Sequence, residues 1–298
     1  MDTDYLAKIK SLVIIAMFSD DDLMERFVLK GGNAIDMVYG TTPRVSLDID
    51  LSIEDDFKPD ELSSIKNKIS KALDRTFRDQ NYKVFDIKFY EKPEVSHSNK
   101  PIFWGGYVLE FKIIELGKYD VSRNNKEKIR RNAVVVGLRQ EKTFSVQISK
   151  YEYCKGKIAK DFENYTIYVY TPEMLVFEKL RAICQQMQEY EEIIPSPSRS
   201  ARAKDFFDIY ILCEEHHIDF TNERNIELLK NVFLAKQVPL DFIGKIEKYR
   251  EYHREGFISV ESTVTRVTDL RTYDYYFDYV INKCKALEPL WKVQPPFS

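Results

Sequence analysis

Residues 44–53, RVSLDIDLSI, alternate strictly between polar and apolar side chains. Val45, Leu47, Ile49, Leu51 and Ile53 fall on one face; Arg44, Ser46, Asp48, Asp50 and Ser52 fall on the other. A period of two is the mark of a strand with one buried face. A chain carrying it must build a sheet and cover at least one side of that sheet. The same period sets Asp48 and Asp50 on one face, about 6–7 Å apart along the strand. Two carboxylates held together without a partner repel and raise a pKa. A divalent cation removes the conflict. Mg²⁺ in nucleotide enzymes takes one or two carboxylates and completes its shell with phosphate and water. The plainer reading is an edge strand whose serines and aspartates face water.

The residues upstream narrow the choice. Phe27 to Lys30 read as a strand, Gly31-Gly32-Asn33 as a tight turn, and Ala34 to Tyr39 as a short helix. Paired glycines let backbone amides approach an anion with no Cβ in the way. A helix N-terminus adds free N–H groups and a positive dipole end, and Asn33 is a suitable cap. A Gly-Gly turn alone is an ordinary connection. Followed by a strand-borne Asp-x-Asp, it pairs a phosphate grip with a metal grip.

The rest of the N-terminal half reads as α/β. Helical spacing covers Leu6 to Ala16, and Ser19 to Asp22 supply a cap. A polar helix is expected over 58–79, with strands at Tyr82–Tyr90, Tyr107–Ile114, Ala133–Leu138, Thr143–Ile148 and Thr166–Tyr170. After Thr171-Pro172 helical periods take over, at about 172–189, 203–216, 223–234, 238–254 and 271–287. The expected architecture is an α/β (α+β) domain with a mixed sheet over residues 1–171. A mainly helical domain follows over 172–298.

Composition excludes several classes. The formal charge is −3, so the whole chain is no polycation. Yet Lys112 to Lys160 hold 13 Lys or Arg against 5 Asp or Glu. Such a segment is either an anion-binding face or solvated surface. Four scattered cysteines, with no CxxC, point to buried reduced thiols. The apolar run Leu12–Phe18 falls far short of the ~20 residues of a membrane span, and MDTDYLAKIK lacks a leader's basic start. The expectation is a soluble, cytoplasmic protein with no membrane contact. The four histidines have no metal-ligand spacing. Neither a G-x-S-x-G elbow nor a P-loop occurs. Tyr273, Tyr275, Tyr276, Phe277 and Tyr279 either stack bases or, at their helical spacing, fill a core.

KGGNAIDMVYGTTPRVSLDIDLSI resembles the first motif of the polymerase-beta-like nucleotidyltransferase superfamily. It is most similar to the AbiEii/AbiGii-type toxins, which read Lys-Gly-Gly-Thr-Ala-Leu and then Arg-x-Ser-x-Asp-Ile-Asp-Leu. Asn33 stands where a small hydroxyl residue is usual; the backbone grip is intact and the side-chain contact to phosphate stays open. Two later segments carry the resemblance on. Thr171 to Ala182 resembles the family's Glu-x-Leu-x-x-x-Lys-Leu-x-Ala helix, with Lys179 at the edge of the buried stripe of Val176, Leu180, Ile183 and Met187. Ser200 to Leu212 resembles its Arg-x-Lys-Asp-x-x-Asp-Leu-Tyr signature. There helix spacing allows Arg202 to pair with Asp205 and Lys204 with Asp208.

The resemblance implies a nucleotidyltransferase that moves a nucleoside monophosphate from an NTP to an acceptor. Asp48 and Asp50 would hold Mg²⁺ or Mn²⁺. Gly31, Gly32 and Asn33 would cradle the phosphates, with Arg44 and Ser46 lining their side of the cleft. Lys179 would neutralise triphosphate charge, and Asp205 would orient or deprotonate the attacking hydroxyl. Asp208 is expected to be structural, holding Lys204 or a helix terminus. Glu110 is a weaker candidate for a third acid. Family members act as toxins of toxin–antitoxin and phage-abortive systems, and some modify the 3′ end of tRNA. A tRNA acceptor and a cognate antitoxin are therefore the implied partners, with RNA expected on the 112–160 segment and the Pro195–Arg199 loop. The rivals are transfer to a protein or small molecule, and a catalytically silent nucleotide- or RNA-binding protein of the same fold.

Overall fold

The structure, a computed structural model, describes residues 3–41, 48–94, 101–136, 140–195, 199–264 and 270–292. Seven strands form one mixed sheet: β1 (Val28–Lys30), β2 (Ile49–Ser52), β3 (Tyr82–Lys92), β4 (Gly106–Glu115), β5 (Phe144–Ser149), β6 (Ile158–Phe162) and β7 (Tyr165–Val169). Their order is β3-β4-β5-β2-β1-β7-β6. β2 lies at the centre, antiparallel to β1 and parallel to β5. The edge-strand reading of RVSLDIDLSI is thereby removed. Of the strand expected over 44–53, Ile49–Ser52 is observed, and residues 42–47, with Arg44 and Ser46, lie outside the described residues. Ile49 and Leu51 are fully buried as the alternation requires. Ser52 is buried too and accepts a hydrogen bond from the Tyr170 hydroxyl at 2.9 Å.

The apolar face of the sheet is covered by the N-terminal helices. α1 (Thr3–Phe18) is buried nearly all round from Ile9 onward. α2 (Asp21–Arg26) starts where Asp20 accepts from the Asp22 and Leu23 amides at 3.1 Å, the expected cap. The short α3 (Gly31–Asn33) follows β1 directly and runs into a π-helical turn, Ala34–Val38. α4 (Leu62–Arg78) buries Ile65, Ile69, Leu73 and Phe77 at helical spacing and packs on α1 and β3.

Three expectations are corrected. Ala133–Val136 belong to no strand: Val134 donates to the Ile113 carbonyl at 2.9 Å, but Val136 turns to Glu141 at 2.7 Å, so no ladder forms. Residues 137–139 lie outside the described set. α5 (Leu116–Ser122) and α6 (Lys126–Arg131) occupy part of the basic segment for which no helix was expected. β6 is a strand that alternation could not reveal, because three of its five residues are exposed. Glu163 and Asn164, at φ 46° and 69°, turn it into β7.

From Pro172 onward the described residues form no strand of the sheet. α7 (Pro172–Cys184) is opened by Thr171, whose hydroxyl accepts from the Met174 amide at 3.2 Å. α8 (Ala203–His216), α9 (Glu223–Leu234), α10 (Arg250–Arg254), α11 (Ile258–Glu261) and α12 (Tyr273–Lys285) follow. The helix expected over 172–189 ends at Cys184, and Leu240–Tyr249 is a 3₁₀ helix. Tyr273 and Phe277 are core residues against Phe206, and Tyr276 packs on Phe207, so the packing reading of the tyrosine cluster holds for them. All four cysteines are free and buried. Among the described residues no helix is long and apolar enough to cross a membrane.

Candidate active site

The face of the sheet opposite α1 and α4 carries polar side chains. Lys30 on β1, Asp50 on β2 and Gln147 on β5 stand side by side in register. Asp48 lies just before β2 and is exposed. α7 and α8 bring Lys179 and Asp205 over this face. Gly31, Gly32, Asp48, Asp50, Lys179 and Asp205, separated by up to 174 positions in the chain, border one cavity of about 490 Å³.

Gly31 has φ +68°, and a Cβ added there would overlap the Asp50 carboxylate. The glycine is required twice, by a conformation that L side chains avoid and by the acid that fills its missing side chain. Burial pushes Asp50 up to about 6; Lys30 opposes this, and Glu178 and Asp48 add to it. Asn33 departs from its expected place. It is inside α3, fully buried, and its amide nitrogen donates to the backbone carbonyl of Asp48. It holds the segment entering β2 and is not on the cavity wall. Lys30, which sequence left as a motif letter, stands at the cap position of α3 with no side-chain cap bond.

Lys179 is buried and gripped by two acids of α8: Asp205 at 3.1 Å and Asp208 at 2.7 Å. Asp205 and Asp208 share one helix face, as their spacing dictates. Arg202 pairs with Asp205 at 2.7 Å. Asp208, expected on Lys204 or a helix terminus, is fully buried and serves Lys179. His253 lies beneath, its Nδ1 accepting from the Arg202 amide at 3.1 Å. Burial lowers its pKa to about 4.

A second charged group was not foreseen. Lys30 reaches Ser149 and Glu152, both at 3.2 Å, and Glu178 at 3.4 Å. Arg181 reaches Glu152 at 2.7 Å and Glu178 at 3.4 Å. Burial opposes the charge on Glu152, but Arg181, Lys30 and Lys236 hold its carboxyl well below the usual range. These bonds tie α7 to the sheet. Glu110, considered as a third acid, instead pairs with Lys88 at 3.5 Å and accepts from Tyr90 at 3.1 Å.

The comparisons with known proteins agree with this geometry. Residues 13–263 match the family model described as nucleotidyl transferase AbiEii toxin, type IV TA system. The chain belongs to the AbiEii family. Membership makes it a nucleotidyltransferase of a toxin–antitoxin class. Among solved structures, a nucleotidyltransferase candidate from H. pylori aligns over 99% of this chain and 100% of its own, at 15% identity and a TM-score of 0.50. JHP933 from Helicobacter pylori aligns over 97% and 94%, at 14% identity and a TM-score of 0.49. The first of these likenesses shows a shared fold. No curated protein matches the chain. An AbiEii enzyme implies an NTP substrate and an antitoxin partner.

Proposed function

We propose that this AbiEii enzyme transfers a nucleoside monophosphate from an NTP to the 3′ end of tRNA, with Mg²⁺ or Mn²⁺, as a toxin silenced by a cognate antitoxin. The observation that carries the reading is the convergence of the paired aspartates with Lys179 and Asp205 on one cavity. Among the described residues, no group of three or more His, Cys, Asp or Glu is placed to hold a metal. The donor set nonetheless fits a hard cation that draws its other ligands from phosphate and water. Asp50 is an acid whose burial disfavours its charge, and a cation would supply the missing compensation. Asp48 and Asp50 would hold the metal, which supplies charge neutralisation on the triphosphate.

The chain's own groups do the rest. The start of α3 offers the Gly31 and Gly32 backbone to phosphate. Lys179 supplies a cation, kept oriented by Asp208. Asp205, at the first turn of α8, accepts the proton of the attacking hydroxyl. Arg202 beside it keeps that carboxylate in place. Arg44 and Ser46 remain assigned to the phosphate side. Positioning and electrostatics are the main terms in such transfers.

The basic 112–160 segment is the assigned RNA face, in reduced form. Arg130 is taken by Asp86 at 2.7 Å, Lys112 reaches the same acid at 3.7 Å, and Lys150 is buried against Asp56 at 2.7 Å. Lys126, Lys128 and Arg131 on α6 remain the RNA contacts in this reading. Affinity that falls steeply with salt is expected.

The test is transfer of label from each of four α-labelled NTPs, with Mg²⁺, to total bacterial tRNA. Label is expected on tRNA with wild type and absent with Asp50→Asn and Asp205→Asn. Label only on a protein or metabolite fraction would replace the acceptor; no transfer to any fraction would overturn the reading.

A further inference from the structure

A second cavity, of about 460 Å³, lies over the same face of the sheet. It shares Lys30, Gln147, Ser149, Glu178 and Arg202 with the first, so the two are joined. Register explains the hollow. In the row that holds Lys30, Asp50 and Gln147, the next residue outward is Val108 on β4. In the neighbouring row Ser52 is followed by Ser149 and Gly106. The second row shortens to a residue with no side chain. A Cβ at Gly106 would overlap the Ile148 carbonyl, so the floor there is bare backbone. Trp104, Ala182 of α7 and Gln185 just after it also line the cavity.

Gln147 is the residue at the doorway. It is exposed, adjacent to Asp50 in register, and its carboxamide has no hydrogen-bond partner among the described residues. A carboxamide presents a donor and an acceptor in one plane, the pair that reads a base edge. An indole beside a shallow apolar floor offers the stacking surface that bases use. Both cavities carry charged side chains, Lys92, Glu152, Arg181 and Lys236 among those of the second, but the second adds an aromatic ring, Val108 and backbone that the first lacks. Phosphates prefer the first chemistry and a nucleoside the second.

We propose that the second cavity is a nucleoside subsite, with Gln147 reading the base and Trp104 packing on it. The inference rests on the nucleotidyl-transfer reading. Two sources carry this chemistry, the incoming NTP and the terminal residue of an RNA acceptor.

The experiment compares wild type, Gln147→Leu and Trp104→Leu in the full chain. Affinities are measured for the four NTPs and for inorganic tripolyphosphate, with KM for tRNA alongside. Gln147 is exposed, so its variant tests the proposal even if Trp104→Leu fails to fold. NTP affinity lowered about tenfold, with differences among bases flattened and tripolyphosphate unchanged, supports the subsite with the NTP as source. Unchanged NTP affinity with tRNA KM raised to a similar degree supports it with the acceptor as source. If wild type binds NTP and Gln147→Leu alters neither quantity, the subsite alone is overturned. If wild type binds neither NTP nor tripolyphosphate, the nucleotidyl-transfer reading falls and takes this inference with it.

Discussion

The two walls of the cavity proposed as catalytic are built on different principles. The sheet wall is local: Gly31 gives Asp50 its space, and Asn33 ties down Asp48, all within one strand-turn-helix and the next strand. Its central acid is under-compensated, since burial raises Asp50 to about 6 despite nearby Lys30. The helical wall is a closed circuit, with Lys179 bonded to Asp205 and Asp208, and Arg202 on Asp205. One wall has charge left over for a ligand. The other spends its charges on itself and is stable only as a set. Loss of a charged group should therefore cost transfer alone on the sheet wall, and stability as well as transfer on the helical wall.

The largest separation is expected between Asp50→Asn and Lys179→Ala. Asp50→Asn is predicted to lower transfer by at least about 10³-fold, as for loss of a key electrostatic group. It keeps the side chain's shape and creates no unpaired buried charge, so thermal melting should hold or rise. Lys179→Ala removes the buried cation shared by Asp205 and Asp208, a loss of about 3–5 kcal/mol. Urea melts should show it, and Lys179→Ala/Asp208→Leu should recover part of it. A Lys179→Ala variant as stable as wild type would break the contrast.

pH provides the next test. His253 is fully buried and its folded pKa lies near 4, below its unfolded value of about 6.5. The unfolded chain therefore binds a proton first, and stability is lost as pH falls from about 6.5 towards 4. The two values set the loss at about 3 kcal/mol. It acts on the helical wall, because the Nδ1 that would be protonated accepts the Arg202 amide. His253→Gln should flatten that limb of the stability profile, measured by denaturation at several pH values.

Smaller effects sharpen the sheet wall. Gly31→Ala is predicted to cost about 1–3 kcal/mol from the positive φ alone, plus activity through displacement of Asp50. Asn33→Ala should cost about 1 kcal/mol and raise the metal concentration needed for half-maximal transfer. A urea melt reads the first effect and a metal titration of the purified variant the second. If Asn33→Ala changes stability but not the titration, its tie to Asp48 is structural only.

The same contrast explains what could be read from sequence. The Asp-x-Asp strand and the glycine turn were legible because each is a local pattern with one geometric meaning. Lys179 and Asp205 were legible through family motifs, but their mutual bonding was not, since a 26-residue separation says nothing about facing side chains. Asp208 was assigned to Lys204 or a helix terminus, and the structure bonds it to Lys179 of another helix. Glu152, Glu178 and Arg181 were missed because buried ion pairs across elements leave no periodic trace. β6 was missed for its exposure, and 133–136 over-read because a run of valines satisfies β propensity while Val136 turns from β4 to Glu141.

The order of the circuit along the chain has a consequence for synthesis. A growing polypeptide emits α7 before α8, so Lys179 leaves the ribosome with neither of its acids. Until Asp205 and Asp208 arrive, the ammonium has no reason to be buried, and the wall opposite Asp50 does not exist. The sheet-borne acids can fold early and wait. An enzyme so arranged gains its helical wall only once Asp208 has been made, so the sheet-borne acids are in place before the cavity they face is closed.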